Sequence, residues 1–377
     1  MPNRRRPWIA AFLVLIVHGA IVLRSGIVLP PDGVKFAQWA DLLIANRFDF
    51  AAVVRAEGAR NLPAGMYMFF VTIVALAKLI AGARWAAVLV TANVLFDALT
   101  AAILIRLVML ATRSTAAVMF ALAAWLVCFD VVTWVRMPLT DILFLLLSFA
   151  AFASLAGPRL VSEPLATKAL LRAAIFTAMA LLLRPVGFLW IILIAVVYLV
   201  LSGRLRRRAI VVGGLLIGGL IFAGHTLVVC YPERWPLRAF ERSVRWDARS
   251  YAHGDVIVGR PETSHPPPVT LIDYGAITAD RFVHFFAFTA ASFSRAHKIG
   301  GAVFYGSIYL MAIGAVIAAA RRSGAEADVV ILSTLVILTV AFWHSLVVID
   351  FDWRYRLPVV PHLIFVATTI LPRLLRR

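Results

Sequence analysis

Apolar runs, most of about membrane-spanning length, follow one another along the chain, separated mainly by short connections and by two longer stretches, 30–61 and 231–298. Eleven such runs occupy about 7–29, 62–82, 85–105, 114–130, 138–156, 169–183, 185–202, 209–230, 299–320, 328–349 and 357–372. The hydrocarbon core of a bilayer takes ~20 consecutive apolar residues of helix. A backbone inside it has no water to bond to and must satisfy its own N–H and C=O groups. Together these constraints select helices. Of the 377 residues, 62% are hydrophobic and only 15% charged, against ~45–50% apolar in soluble domains. The expected fold is an all-α polytopic membrane protein with about 10–11 transmembrane segments, as one domain over 1–377. This composition excludes a soluble enzyme, a disordered regulator and a fibrous protein.

The formal net charge is +18. The basic residues sit between apolar runs, so they read as markers of cytoplasmic loops and as contacts for anionic membrane lipid. Nucleic acid is not an expected partner. Cys128 and Cys230 give neither a disulfide framework nor a zinc pattern. Arg4–Arg6 ahead of the apolar run Trp8–Leu23 imitate a signal peptide. With no clean small-residue cleavage site behind it, the run reads as an uncleaved first span.

The Lys/Arg bias then assigns sides. Arg373, Arg376 and Arg377, the pair Arg321/Arg322, the cluster Arg204–Arg208 and the group Arg159/Lys168/Arg172 read as cytoplasmic. That puts 30–61, Arg136–Asp141, the Arg184-Pro185 turn, 231–298 and Asp350–Arg356 on the outer side. Both ends are basic, so the number of crossings is even, and one run between Leu62 and Asp130 fails to cross. The run 114–130 is the shortest there. Two outer loops carry amphipathic stripes: Phe36, Trp39, Ala40 and Leu43 in the first; Leu237–Tyr251 and Phe282–Phe293 in the larger second loop, 231–298. Such stripes suit helices anchored in the lipid interface.

Charges at the mouths of spans are costly and become functional candidates. Asp32 follows Pro30-Pro31 directly after the first run. It is placed either as a general base or as a helix cap. Glu57 is a second carboxylate in the same loop. Asp141, at the head of Ile142–Phe149, needs a partner, and Arg136 is the nearest cation in sequence. Arg184 stands alone in an apolar turn, placed to snorkel or to meet a phosphate. Asp97 lies mid-run near Asn93, and the two read as a buried hydrogen-bonded pair. Arg354, Tyr355 and Arg356 offer a clamp for phosphate. Asp350 and Asp352 beside them have metal-ligand spacing, so a divalent metal stays open as a cofactor.

These pieces, in this order, resemble the integral-membrane GT-C glycosyltransferases. The likeness is to the branch using polyprenyl-phosphate sugars, such as protein O-mannosyltransferases and lipid A aminoarabinose transferases. The matching residues are Asp32 opening the first outer loop, Asn61-Leu62-Pro63-Ala64-Gly65-Met66-Tyr67 leading into the next run, Pro138-Leu139-Thr140-Asp141, and Arg354-Tyr355-Arg356-Leu357-Pro358-Val359-Val360-Pro361. The last fits the family's Arg-Tyr-x-x-Pro-x-x-Pro run. Many relatives open the first loop with two adjacent acids; this chain has one.

The resemblance implies an inverting transfer of a hexose or pentose from a polyprenyl-phosphate donor to a lipid, glycan or protein acceptor. The short loops, the absence of eukaryotic targeting signals and the charge bias suit a bacterial inner membrane with the site facing the periplasm. On this resemblance Asp32 is the base. Arg354 and Arg356 hold the leaving phosphate, with Arg184 or Arg136. Asp141 and Glu57 orient sugar or acceptor. The loop 231–298, with His253, caps the site. No nucleotide-binding motif is present, as a lipid-borne donor requires none. The alternative is a flippase of lipid-linked sugar or polyprenyl phosphate, which needs the same cavity and cations. A third class is a structural subunit assisting a glycan polymerase.

Overall fold

The computed structural model describes residues 5–56, 67–205, 219, 270–289, 293–346 and 353–375. The described residues form helices and no strands. In chain order these are α1 (Arg6–Ser25), α2 (Pro31–Ala45), α3 (Phe50–Ala56), α4 (Met68–Ala81), α5 (Trp85–Thr112), α6 (Thr115–Leu126), α7 (Phe129–Val135), α8 (Asp141–Leu160), α9 (Thr167–Leu183) and α10 (Gly187–Leu201). There follow α11 (Leu271–Phe285), α12 (Arg295–Ala320), α13 (Ala325–Leu346), a 3-10 turn over Trp353–Val359, α14 (Val360–Thr368) and the short α15 (Leu371–Leu374).

Among the described residues, six helical stretches are long and apolar enough to cross a membrane, or seven when the bent pair α6–α7 counts as one. The protein is a multi-pass membrane protein of the all-α class. The expected 10–11 crossings reduce to this smaller set for three reasons. The runs 62–82 and 85–105 fall in one continuous helical stretch, Met68–Thr112. The run 209–230 lies almost wholly outside the described residues. Helices α9 and α10 have only 17 and 15 residues, short of the ~20 that a straight span needs.

The surface agrees with a lipid solvent. Helix α1 turns Trp8, Ile9, Phe12 and Ile16 outward, and α12 does the same with Val303, Leu310 and Ile313. Exposed large apolar side chains on this scale belong in hydrocarbon. Helices α8 and α14 form the centre. Every residue from Val360 to Thr368 is buried, because α14 packs against α5, α6, α12 and α13 together.

Hydrogen bonds between chain-distant residues fix the two ends of the bundle. Arg6 donates to Thr115 Oγ1 at 3.1 Å, so α1 and α6 begin together. Arg159 at the end of α8 pairs with Asp328 at the start of α13 at 2.9 Å, and Arg373 pairs with Glu326 at 3.0 Å. Helix α15 packs on α6, so these basic residues share one end. At the opposite end Arg136 donates to the carbonyls of Ser25 (2.6 Å) and Gly26 (3.0 Å). Helix α7 therefore finishes where α1 finishes.

The bent pair α6–α7, kinked by 49°, begins beside the start of α1 and finishes beside its end. Helix α4, the described part of the run 62–82, lies along α2. Lys78 binds Asp41 at 2.6 Å and the Ala37 carbonyl at 2.9 Å. Near the head of α4, Phe70 and Tyr67 pack on Phe36 at 5.1 and 5.3 Å. Gly82, with φ +54°, a conformation that side chains disfavour, then leads into α5 through a short 3-10 turn over Gly82–Arg84.

The apolar stripe of α2 is accordingly not a lipid anchor, as expected from sequence. Phe36, Trp39, Ala40 and Leu43 are buried because α4 covers them. The stripe Leu237–Tyr251 lies outside the described residues. Of the third, Phe285 is buried and stacks near His344 at 6.5 Å.

Candidate functional site

Four sequence-distant segments meet at the end opposite the basic loops. Helix α2 begins with Pro31 at its first turn, and Asp32 follows it there. Proline at this position and a carboxylate near the helix N-terminus are both locally favoured. Asp32 is thereby fixed at the head of the helix. Arg354 Nη1 donates to its Oδ2 at 2.5 Å, across 322 residues. Side-chain exposure is 46% for Asp32 and 17% for Arg354, so the pair stands at an opening.

The neighbouring pair is Arg184 with Asp141. Asp141 heads α8, and Arg184 ends α9 in extended conformation. The turn that delivers Arg184 needs Gly187, where a Cβ would collide with the backbone of Leu181. Both charges are buried, and the guanidinium also lies over the Phe144 ring at 5.6 Å. Arg184 is within electrostatic reach of Tyr67, Arg354 and Tyr355. Two carboxylates and two guanidiniums thus share one locality with two tyrosines. The Tyr355 ring stacks on His344, 4.3 Å away and 9° from parallel. His344 is buried, and its Nδ1 has no hydrogen-bond partner among the described residues.

Arg356 departs from the expected clamp. Arg354 and Arg356 stand two positions apart in a 3-10 turn. Each residue there rotates by about 120°, at three residues per turn, so the two side chains diverge. Arg356 runs inward instead. Its Nε donates to Asp130 at 2.9 Å, its Nη1 to the Ala287 carbonyl at 2.6 Å, and its guanidinium lies over the Tyr305 ring at 4.1 Å. Tyr305 donates to the same Asp130 oxygen at 2.6 Å. This buried cluster opens on a cavity of about 670 Å³ walled by Phe129, Phe288, Phe304 and His297.

Arg136 departs as well. It is not the partner of Asp141. Its guanidinium satisfies carbonyls at the end of α1, and its own carbonyl accepts from Val28 N–H at 3.1 Å. The helix-end carbonyls of α1 are left open by geometry, and a cation there also complements the helix dipole. Arg136 joins the segment between α1 and α2 to the end of α7.

The expected Asn93–Asp97 pair does not form either. Asn93 donates to the Met137 carbonyl at 2.7 Å. Asp97 Oδ2 lies 2.5 Å from His18 Nδ1, and Trp125 Nε1–H donates to Asp97 Oδ1 at 2.9 Å. His18 Nε2 meets the Leu126 carbonyl at 3.2 Å. A carbonyl only accepts, so that nitrogen carries a proton. The pair then shares one further proton between Nδ1 and Oδ2 and is neutral as a unit. It staples the kink between α6 and α7.

Glu57 and His253 lie outside the described residues, as do Asp350 and Asp352. Among the described residues no group of three or more His, Cys, Asp or Glu could hold a metal ion. Sequence reasoning missed Asp130, Tyr305, His344 and His18. A carboxylate inside Val127-Cys128-Phe129-Asp130-Val131 is itself a signal. The tyrosine and histidines carry none, since each alone fits a packed core. The chain matches no protein-family model, no curated protein and no solved structure.

Proposed function

We propose that this protein is a membrane-embedded inverting glycosyltransferase. It takes a hexose or pentose from a polyprenyl-phosphate donor and passes it to a lipid, glycan or protein acceptor. The reaction is assigned to the Asp32–Arg354 end of the bundle, facing the periplasm from a bacterial inner membrane. The side rests on reading Arg159/Lys168/Arg172, Arg321/Arg322 and Arg373, toward the other end, as cytoplasmic.

One observation carries this reading: the first acid after α1 meets the first arginine of the C-terminal Arg-Tyr run, beside the buried Arg184–Asp141 pair. A transfer from a lipid phosphate needs a base at the acceptor and cations at the leaving group, within one sugar's reach. In the step, the acceptor oxygen attacks the anomeric carbon while the bond from that carbon to the phosphate oxygen breaks. The acceptor's proton passes to Asp32. The electron pair leaves with the polyprenyl phosphate, whose charge Arg354 and Arg184 offset. Donor docking would draw Arg354 from the carboxylate to the phosphate, freeing Asp32 as base.

The flippase reading draws on the buried His18–Asp97 pair, since intramembrane acid–base pairs serve proton relays. It ranks second because both carboxylate oxygens and both ring nitrogens are held by protein groups, as a structural staple requires.

The test is transfer from defined donors. Purified protein in nanodiscs is given radiolabelled polyprenyl-phosphate hexoses and pentoses, with a membrane extract as acceptor source, with and without chelator. Label in a new product supports the transferase. Donor moved between leaflets without transfer would select the flippase instead.

A further inference from the structure

The strongest unassigned feature lies at the opposite, basic end. Helix α5 carries Arg106 six residues before its C-terminal residue Thr112, about 9 Å inside the helix end at ~1.5 Å per residue. The side chain is exposed, yet Arg106 makes no hydrogen bond or ion pair among the described residues. An unpaired guanidinium at that depth in a span is costly. Arg106 lines two adjoining cavities, of about 890 and 380 Å³. Ile103, Leu110, Ala150 and Phe176 wall both; the larger extends to Trp8 on the lipid-facing side of α1. Arg172 of α9 stands at the smaller cavity and Glu163 at both. Glu163 forms no ion pair with either arginine.

We propose that this is a binding site for one anionic glycerophospholipid of the leaflet at the basic end. The cavities lie within the ~300–1,000 Å³ range of small-molecule pockets. Their apolar walls suit acyl chain, and their lateral opening admits a lipid from the bilayer. Two guanidiniums against one carboxylate leave a net positive mouth, which complements a phosphodiester whose headgroup adds no cation. A zwitterionic lipid would bring its ammonium to the same mouth. The site is at the other end of the bundle from Asp32 and does not depend on the transferase reading.

The experiment is native mass spectrometry of the full chain in mild detergent, supplied with equal amounts of phosphatidylglycerol and phosphatidylcholine. The expected result is one phosphatidylglycerol retained in preference. Arg106→Gln and Arg172→Gln should each weaken retention roughly fivefold, the worth of one cation near a lipid headgroup. Arg113→Gln, at the same end and outside the cavities, should leave it unchanged. Arg106→Lys should retain most of it. Equal retention of the two lipids, full retention when Arg106→Gln and Arg172→Gln are combined, or displacement by millimolar inorganic phosphate would each overturn the proposal. Circular dichroism of every variant separates these outcomes from misfolding.

Discussion

At the scale of single residues, the site is made of charges whose partners are far away in sequence. The Arg184–Asp141 pair is buried, and removing one member of such a pair strands the other in low dielectric. Asp141→Leu or Arg184→Met alone should therefore cost about 3–5 kcal/mol, and the double variant should recover most of it. Thermal unfolding in detergent reads this out; additive losses in the double variant would mean that the two charges do not depend on each other. The His18 staple gives a second residue-scale expectation. His18→Ala leaves buried Asp97 and the Leu126 carbonyl each short of a partner, at about 1–3 kcal/mol per stranded group. A His18→Ala protein as stable as wild type would contradict the staple. Which residues matter was partly legible in the sequence. Asp32, Asp141, Arg184 and Arg354 stand out because charges beside apolar runs need a reason. Their pairing was not legible: Arg136 is nearest to Asp141 in sequence, but proximity along the chain says nothing about which turn packs against α8. Arg354 and Arg356 looked equivalent until the 3-10 turn sent them in different directions.

At the scale of elements, the apolar run 62–82 shows where hydropathy stops being informative. It is as apolar as a span, but α4 turns one face to α2, through Phe36, Tyr67 and Phe70, with its Lys78 tied to Asp41, and leaves Leu76, Leu79 and Ile80 exposed. Apolar length measures the need for burial and does not distinguish protein from lipid as the cover. Parity of the basic ends asks for one non-crossing run there, and run length points to 114–130, which in the structure is the bent pair α6–α7, kinked by 49°. The kink is held by His18 on one side, and Asp130 beyond it fastens to Arg356 and Tyr305. The turn between α9 and α10 is equally demanding. Gly187→Ala should displace Arg184 and lower transfer more than it lowers the melting temperature, because the backbone of Leu181 blocks the new methyl. Unchanged activity in Gly187→Ala would show that the turn does not position Arg184.

At the scale of the whole molecule, the chain sorts its charges to two ends. The pairs Asp32–Arg354 and Asp141–Arg184 lie at one, and Arg159–Asp328 and Arg373–Glu326 at the other. Cysteine labelling in membranes, on a background free of Cys128 and Cys230, tests this sorting. Arg47→Cys and Arg84→Cys should label from the same side, and Arg113→Cys from the opposite side. Labelling of Arg84→Cys with Arg113→Cys would mean that α4 crosses after all. The all-α, multi-pass class followed from composition and run length alone. The gathering of Asp32, Asp141, Arg184 and Arg354 at one end agrees with the sidedness read from Lys and Arg, because that bias orients every span at once.

The central claim is that Asp32 removes the acceptor's proton while Arg354 holds the donor phosphate. The most direct measurement follows donor binding and sugar transfer together in wild type, Asp32→Asn and Arg354→Gln. Asp32→Asn should keep its fold and its donor affinity while transfer falls by about 10²–10⁴-fold, the usual contribution of a general base. Arg354→Gln should weaken donor binding as well as transfer. An Asp32→Asn protein that transfers sugar at the wild-type rate would contradict the account.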